Sequence, residues 1–164
     1  MKSQKVATYG LFVALAFILS YIESLIPIPV PIPGIKIGLA NLVVIAGLYI
    51  MGPKEAFSLS IIRIILIGFT FGNLSTMIYS LAGGLLSCML MIFFSRFKLF
   101  SMIGVSIIGG VSHNVGQILV AMLVVQSSFL IYYLPFLLVA GTISGTVIGI
   151  MGAIIVERIK RFKV

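Results

Sequence analysis

Long apolar runs separated by short polar clusters constrain the fold of this chain more than any other feature. A helix needs about 20 apolar residues to cross the hydrocarbon core of a bilayer, where its backbone polar groups must be satisfied internally. The candidate runs are Val6 to Ile26, Ile37 to Met51, Ala56 to Phe71, Ser75 to Ser95, Phe100 to Val125 and Ile131 to Val156. The pattern predicts an all-α polytopic membrane bundle of about six transmembrane helices, with residues 1–164 as a single integral membrane domain.

Two of these runs, the second and the third, are shorter than the rest. Such helices are predicted to be tilted or packed inside the bundle rather than fully exposed to lipid. The first run follows Lys2 and Lys5, as in a signal peptide, but it extends to Ile26, which is longer than a typical signal core. We therefore expect a retained first helix.

The composition excludes a soluble nucleic-acid-binding domain. Only 9% of the 164 residues are charged, whereas a soluble domain carries about 25%. The net charge is +8, but the basic residues lie in clusters between apolar runs and not along one face. The partner that this pattern predicts is the lipid bilayer, not nucleic acid.

The distribution of Lys and Arg predicts the orientation. With the N-terminus inside, the outer loops hold only Lys36, and Arg63 lies within the third run. The inner segments hold the other nine of the 11 basic residues: Lys2, Lys5, Lys54, Arg96, Lys98, Arg158, Lys160, Arg161 and Lys163. By the positive-inside rule, we expect a multi-pass protein of the bacterial cytoplasmic membrane with both termini in the cytoplasm.

Several polar residues inside the apolar runs are candidates for ligand binding. Arg63 sits near the middle of its helix, where a charge is costly unless it is paired or hydrated. It is either a structural residue bonded to backbone carbonyls or a substrate-binding residue. In the fifth run, His113, Asn114 and Gln117 either bond between helices or contact a ligand.

Other candidates belong to the outer half of the predicted bundle. Tyr79 lies in the fourth run, Glu23 near the end of the first, and Lys36 and Asn41 after a segment with four prolines. The predicted topology brings Glu23 and Lys36 to the mouth of the bundle. We predict that a cavity there is walled by the fourth, fifth and sixth helices and capped by Pro27 to Lys36.

Small residues recur at intervals of four. Gly141, Gly145 and Gly149 make one face of the sixth helix nearly smooth, which favours close packing within the bundle or docking of a partner. On the first helix, Gly10 with Ala14 and Ala16 with Ser20 form similar pairs.

Catalysis and metal binding find little support in the sequence. The chain has no Asp, its acids are Glu23, Glu55 and Glu157, and Cys88 is its one thiol. We expect no catalytic residues, no metal and no cofactor. The glycines between Gly47 and Lys54 lack the Gly-Lys-Ser/Thr ending of a phosphate-binding loop, so we expect no nucleotide hydrolysis.

Five segments carry a family resemblance: Glu23 to Pro27, Pro33 to Asn41, Gly52 to Ala56, Ser80 to Ser87 and Gly104 to Gln117. They resemble the Gx transporter family, also labelled heptaprenyl diphosphate synthase component I. That family is similar to the substrate-binding S components of energy-coupling factor (ECF) transporters.

The resemblance implies six helices that bind a vitamin-like small molecule from the outer side. It also implies that the loop from Pro27 to Lys36 is a gate. Small residues of the first helix, Gly10 and Ala14 or Ala16 and Ser20, would dock an ECF coupling subunit that works with ATPases. The synthase label implies Asp-rich magnesium motifs, and a chain without Asp cannot perform that chemistry alone.

Three functions stay open from the sequence. The chain is a substrate-binding subunit of a transporter, a noncatalytic membrane subunit associated with prenyl diphosphate or quinone synthesis or flavin-linked electron transfer, or a structural protein. A neighbouring gene for an ECF ATPase would favour the first, and a neighbouring synthase or flavoprotein gene the second.

Overall fold

The computed structural model describes residues 2–25 and 38–162 of the chain. They form six α-helices and one 3-10 helix, and no strand occurs in these two ranges. The helices are α1 (Lys2–Leu25), α2 (Leu39–Ile50), α3 (Pro53–Thr70), α4 (Leu74–Phe94), α5 (Met102–Val125) and α6 (Leu134–Phe162), with the 3-10 helix Ser128–Tyr133 before α6. The predicted all-α bundle is confirmed. The predicted gate, Pro27 to Lys36, lies outside the described residues.

The helix ends follow the local chemistry of the chain. Gly52, with φ 118°, ends the α2–α3 turn, and Pro53 takes the first position of α3, where its missing N–H is not needed. Asn73 and Thr76 form a capping box at the start of α4: the Thr76 N–H donates to Asn73 Oδ1 at 2.8 Å. These caps satisfy backbone groups that lipid could not.

α6 is longer than its apolar run and begins later than predicted. It starts at Leu134, because Pro135 is tolerated only in the first turn of a helix. It continues to Phe162 through the basic segment, where Arg161 and Glu157 form an ion pair one turn apart. The apolar pattern could not locate this end, since the last turns of the helix are polar.

Consecutive helices run antiparallel. The start of α1 lies beside the α2–α3 turn, where Tyr9 and Ser58 share a hydrogen bond of 2.7 Å. At the opposite end, Gly68 of α3 meets Met77 of α4. Ile103, near the start of α5, contacts Gly149 in the second half of α6. The basic clusters at the two termini, in the α2–α3 turn and between α4 and α5 therefore share one end of the bundle.

α2 forms the centre of the bundle and packs against α1, α3 and α6. Eight of its residues are buried: Ala40, Leu42, Val43, Val44, Ile45, Ala46, Gly47 and Leu48. With 12 residues it is roughly 18 Å long, well short of the hydrocarbon core. The prediction that this short helix packs inside the bundle is confirmed.

The outer surface of the bundle is apolar. Large side chains such as Val6, Phe69 and Leu123 are at least 72% exposed. Within the described residues, four segments are long and apolar enough to cross a bilayer: Ser3–Leu25, Leu74–Phe94, Met102–Val125 and Ser128–Arg161. An exposed apolar surface of this extent requires lipid around it, so the chain is a membrane protein.

The glycine face of α6 packs against α5 within the same chain. A Cβ at Gly141, Gly145 or Gly149 would lie 2.7 to 2.9 Å from α5 backbone atoms of Gly110, Ile107 or Ile103. Only residues without a Cβ permit this approach. Of the two alternatives for these glycines, packing within the bundle and docking of a partner, the structure supports packing within the bundle.

Candidate ligand-binding site

A cavity of about 290 Å³ lies between the six helices. It reaches from Ser24 and Gly72, at the end of the bundle opposite to the basic clusters, to Ser106 and Ile148 in the interior. On α4 its wall extends from Thr76 to Met91, which is about 22 Å along the helix axis. The cavity is therefore long and narrow and penetrates most of the bundle.

Arg63 projects from α3 into this cavity and is 7% exposed. Its Nη2 donates a hydrogen bond of 2.6 Å to Oδ1 of Asn41 on α2. Its Nε is buried and has no hydrogen-bond partner among the described residues. A buried guanidinium with an unused donor is costly unless water or a ligand supplies an acceptor.

Glu23 lines the cavity from α1 and is also 7% exposed. Its carboxylate accepts a hydrogen bond from the backbone N–H of Gly38, the residue that precedes α2. Gly38 has φ 83°, a backbone conformation that glycine adopts without strain. Glu23 thus holds the start of α2 against α1.

The two buried charges face one cavity without forming an ion pair. Within residues 2–25 and 38–162 the ion pair closer than 4 Å is that between Arg161 and Glu157, far from Arg63 and Glu23. Asn41 and Gly38 contact one charge each. The positive Arg63 and the negative Glu23 are therefore each bonded to a neutral group and not to each other.

The polar residues of α5 divide between the cavity and the helix contacts. His113 and Asn114 line the cavity, and Asn114 Nδ2 also donates to the Leu137 carbonyl of α6 at 2.8 Å. Gln117 is 9% exposed and lies against Gly83 of α4, away from the cavity wall. Asn114 therefore bonds between helices and also lines the cavity, whereas Gln117 lies in the contact between α4 and α5.

Five of the predicted ligand-binding residues come together: Glu23, Asn41, Arg63, His113 and Asn114 all line the cavity. Tyr79 does not, because the cavity face of α4 carries Thr76 and Ser80 instead. Lys36 lies outside the described residues.

The two small-residue pairs of α1 occupy different faces. Gly10 and Ala14 are exposed on the surface of the bundle, and a Cβ at Gly10 would meet no atom within 4 Å. Ala16 is fully buried and Ser20 lines the cavity. Of the two pairs predicted to dock a partner, Gly10 and Ala14 are the accessible one.

Sequence reasoning missed a set of hydroxyl groups on the cavity wall: Ser20, Ser24, Thr76, Ser80, Ser87, Ser106 and Ser144. Several of them bond to their own helix, as Ser20 does to the Ala16 carbonyl at 2.8 Å. Ser87 Oγ is buried without a partner among the described residues. The helical spacing of Thr76, Ser80 and Ser87 was the available signal.

This arrangement can bind a polar molecule, and it lacks the ligands for a metal. In the described part of the chain, no three His, Cys, Asp or Glu side chains come together. The cavity instead offers one guanidinium, one carboxylate, amides and hydroxyls, with apolar walls formed by residues such as Ile64 and Phe71. Such a mixture is typical of small-molecule sites.

The fold and the cavity define a polytopic membrane protein whose helices enclose a mixed polar and apolar cavity. A family model described as heptaprenyl diphosphate synthase component I matches residues 12–155. The chain belongs to that family, and the resemblance found in the sequence is confirmed. No curated protein and no solved structure gives a significant match.

Proposed function

We propose that this chain is a membrane-embedded, substrate-binding subunit of a small-molecule transporter, comparable to an S component. The observation that carries the proposal is the buried Arg63, whose Nε has no hydrogen-bond partner among residues 2–25 and 38–162 and which lines a cavity inside an apolar bundle. Ionisable groups at such positions commonly mark substrate pathways, since their cost must be compensated by a functional partner.

The size and shape of the cavity support a ligand rather than scattered water. A volume of about 290 Å³ is close to the lower end of the range for small-molecule pockets. The wall combines apolar side chains, which bury ligand surface, with a few polar groups, which orient it. A bound molecule that reaches Arg63 satisfies a donor, the Nε, that the described part of the chain leaves without an acceptor.

The proposed orientation places the cavity mouth outside the cell. The basic clusters share the end of the bundle opposite to the mouth, and the positive-inside rule assigns that end to the cytoplasm. Both termini are then cytoplasmic, and the membrane is the bacterial cytoplasmic membrane. Substrate enters from the outer side.

Energy for uptake comes from partner proteins in this proposal. The chain lacks a phosphate-binding loop and is not an enzyme, so an ECF coupling subunit and its ATPases would drive transport. The exposed pair Gly10 and Ala14 on α1 offers the coupling subunit a face without bulky side chains.

A second candidate function rests on the family name. The description as a synthase component suggests a noncatalytic membrane subunit of prenyl diphosphate synthesis. In that case the chain would bind a synthase at its cytoplasmic end, and a substitution in the cavity would leave the association intact. Copurification with the synthase, unchanged by such a substitution, would favour this function.

Native mass spectrometry of the purified protein tests the transporter proposal. We expect a copurifying small molecule in the wild-type chain and its loss in Ser80→Phe, which fills the cavity from α4. The matched control is Ile143→Phe on the lipid-facing side of α6, where the side chain is 61% exposed. If no small molecule is found, or if Ser80→Phe retains it as well as the control does, the proposal is wrong.

A further inference from the structure

The arrangement of the two buried charges restricts the class of ligand. Arg63 and Glu23 both bond to the start of α2, through the Asn41 side chain and the Gly38 N–H respectively. Asn41 N in turn donates to the Gly38 carbonyl at 2.8 Å, which closes that turn. The two charges are therefore anchored at the same end of α2, on residues three positions apart, and they form no ion pair within 4 Å.

Both charged groups keep unused hydrogen-bonding capacity. A guanidinium has five N–H donors, of which the Arg63 Nη2 is bonded to Asn41 and the Nε is free of any described partner. A carboxylate has about four acceptor positions, and among the described residues Glu23 uses one of them, for the Gly38 N–H. Arg63 can therefore accept a carboxylate in a two-bond fork, and Glu23 can accept N–H groups.

The charge balance of the wall favours a ligand without net charge. Apart from the His113 imidazole, the described residues of the wall carry one positive and one negative group. A net charge brought into this poorly solvated interior would remain uncompensated, which is strongly unfavourable. A diphosphate, with its multiple negative charges, is the least suitable ligand.

We infer that the cavity binds an α-amino acid as its zwitterion. This inference rests on the proposed transport function and names its substrate class. The carboxylate of the amino acid binds the Arg63 guanidinium, and its ammonium group binds the Glu23 carboxylate. The amino acid side chain points along the cavity toward Ile45, Met91 and Ile148, the apolar residues at its inner end.

The experiment compares three sets of probes that differ in which charged groups of the amino acid they keep. The twenty common amino acids are tested singly against their N-acetyl derivatives, which lack the ammonium group, and their amides, which lack the carboxylate. Binding is read by native mass spectrometry and by the thermal shift of the purified full-length chain. We expect at least one amino acid to bind, and both of its derivatives to bind at least about 10-fold more weakly, the usual effect of losing a charged hydrogen bond.

Two variants separate binding from folding. Glu23→Gln should weaken binding of the free amino acid about 10-fold or more, while leaving the N-acetyl derivative nearly unaffected. Arg63→Lys keeps the positive charge but loses the fork, so it should weaken both the free acid and the N-acetyl derivative. A merely structural role for Glu23 would change the affinities of both probes together.

The possible failures are distinguishable. If no amino acid binds but the purified chain carries another small molecule, the zwitterion inference is wrong and the transport proposal stands. If an N-acetyl derivative binds as tightly as its parent amino acid, Glu23 does not recognise an ammonium group and the inference is again wrong. If no small molecule of any class binds, both proposals fail.

Discussion

Replacement of Gly110 by alanine tests the packing that shapes the cavity. Gly110 lies on α5 where the helix meets α6, and an added Cβ would lie 2.5 Å from the Gly141 carbonyl oxygen and 3.4 Å from the Gly145 Cα. Both obstacles are backbone atoms, so no side-chain rotation relieves the overlap. α5 and α6 must move apart, and because Gly110, Asn114 and Gly145 line the cavity, its wall moves with them.

A matched control isolates the magnitude of this effect. Gly104 is in the same helix, and a Cβ there would make ordinary contacts of 3.7 Å with Phe100 and Ser101. Alanine improves helix propensity by up to about 1 kcal/mol at either position, so this contribution cancels in the comparison. The remaining steric cost at Gly110 is roughly 1–3 kcal/mol, the usual range for overpacking a core.

The chain provides its own reporter of unfolding. It contains no Trp, and its single thiol, Cys88, is 2% exposed. A maleimide dye that becomes fluorescent on reaction with a thiol therefore labels Cys88 only when heating unfolds the bundle, and its fluorescence measures the unfolded fraction. At about 2–4 °C per kcal/mol for a chain of this size, Gly110→Ala should melt roughly 2–12 °C below Gly104→Ala. Equal melting temperatures would refute the close α5–α6 approach.

Three further predictions concern the site, the energy source and the topology. Asn114→Ala should weaken ligand binding, since Asn114 lines the cavity, whereas Gln117→Ala should lower stability by roughly 1–3 kcal/mol and leave affinity unchanged. A binding assay and a thermal unfolding measurement on both variants distinguish the two effects. Loss of affinity in Gln117→Ala alone would reverse the assignment. The purified chain should not hydrolyse ATP, and hydrolysis that a mutation within it abolishes would contradict this. Cysteines placed at Lys36 and after Val164 should be labelled from the outside and from the cytoplasm respectively, and labelling of Lys36 from the cytoplasm alone would invert the proposed orientation.

The helices were predictable from the sequence because bilayer length and hydropathy dominate their formation. Their ends were harder to predict, since they depend on caps and prolines: Pro135 fixes the start of α6, and the polar segment after Val156 simply continues it. The central position of α2 followed only qualitatively from its short length. The neighbours of α2 are set by side-chain packing, and the hydrophobic pattern of the sequence does not predict them.

Candidate site residues could be predicted from the sequence where a charged or strongly polar side chain lies inside an apolar run, because burying such a group in a membrane costs free energy. Arg63 and the polar residues of α5 were recognised for that reason and Glu23 from its predicted place at the mouth of the bundle, and the cavity collects most of them. Tyr79 was expected on the wall because it is a polar side chain in the fourth apolar run, but the face of α4 with Thr76 and Ser80 lines the cavity. The rotation of a helix that is apolar on every side cannot be read from its sequence.

The hydroxyl groups were missed because serine and threonine are common in membrane helices. They bond to the preceding turn of their own helix, so their presence does not require a partner elsewhere. The bond between Glu23 and the Gly38 N–H was equally inaccessible, since it joins a side chain to a backbone group 15 residues away.

The hydrogen bond between Arg63 and Asn41 also bears on how this protein is made. At the translocon, α2 is too short to partition into lipid by itself, and an Arg near the middle of α3 opposes partitioning by roughly 2.5–3.5 kcal/mol. The bond joins these two adjacent helices across a turn of two residues, Met51 and Gly52. If α2 and α3 enter the bilayer together as a hairpin, Asn41 accepts a hydrogen bond from the guanidinium before α4 to α6 have been synthesised. Arg63, which lines the cavity, then also links the insertion of the two helices that partition least favourably into lipid.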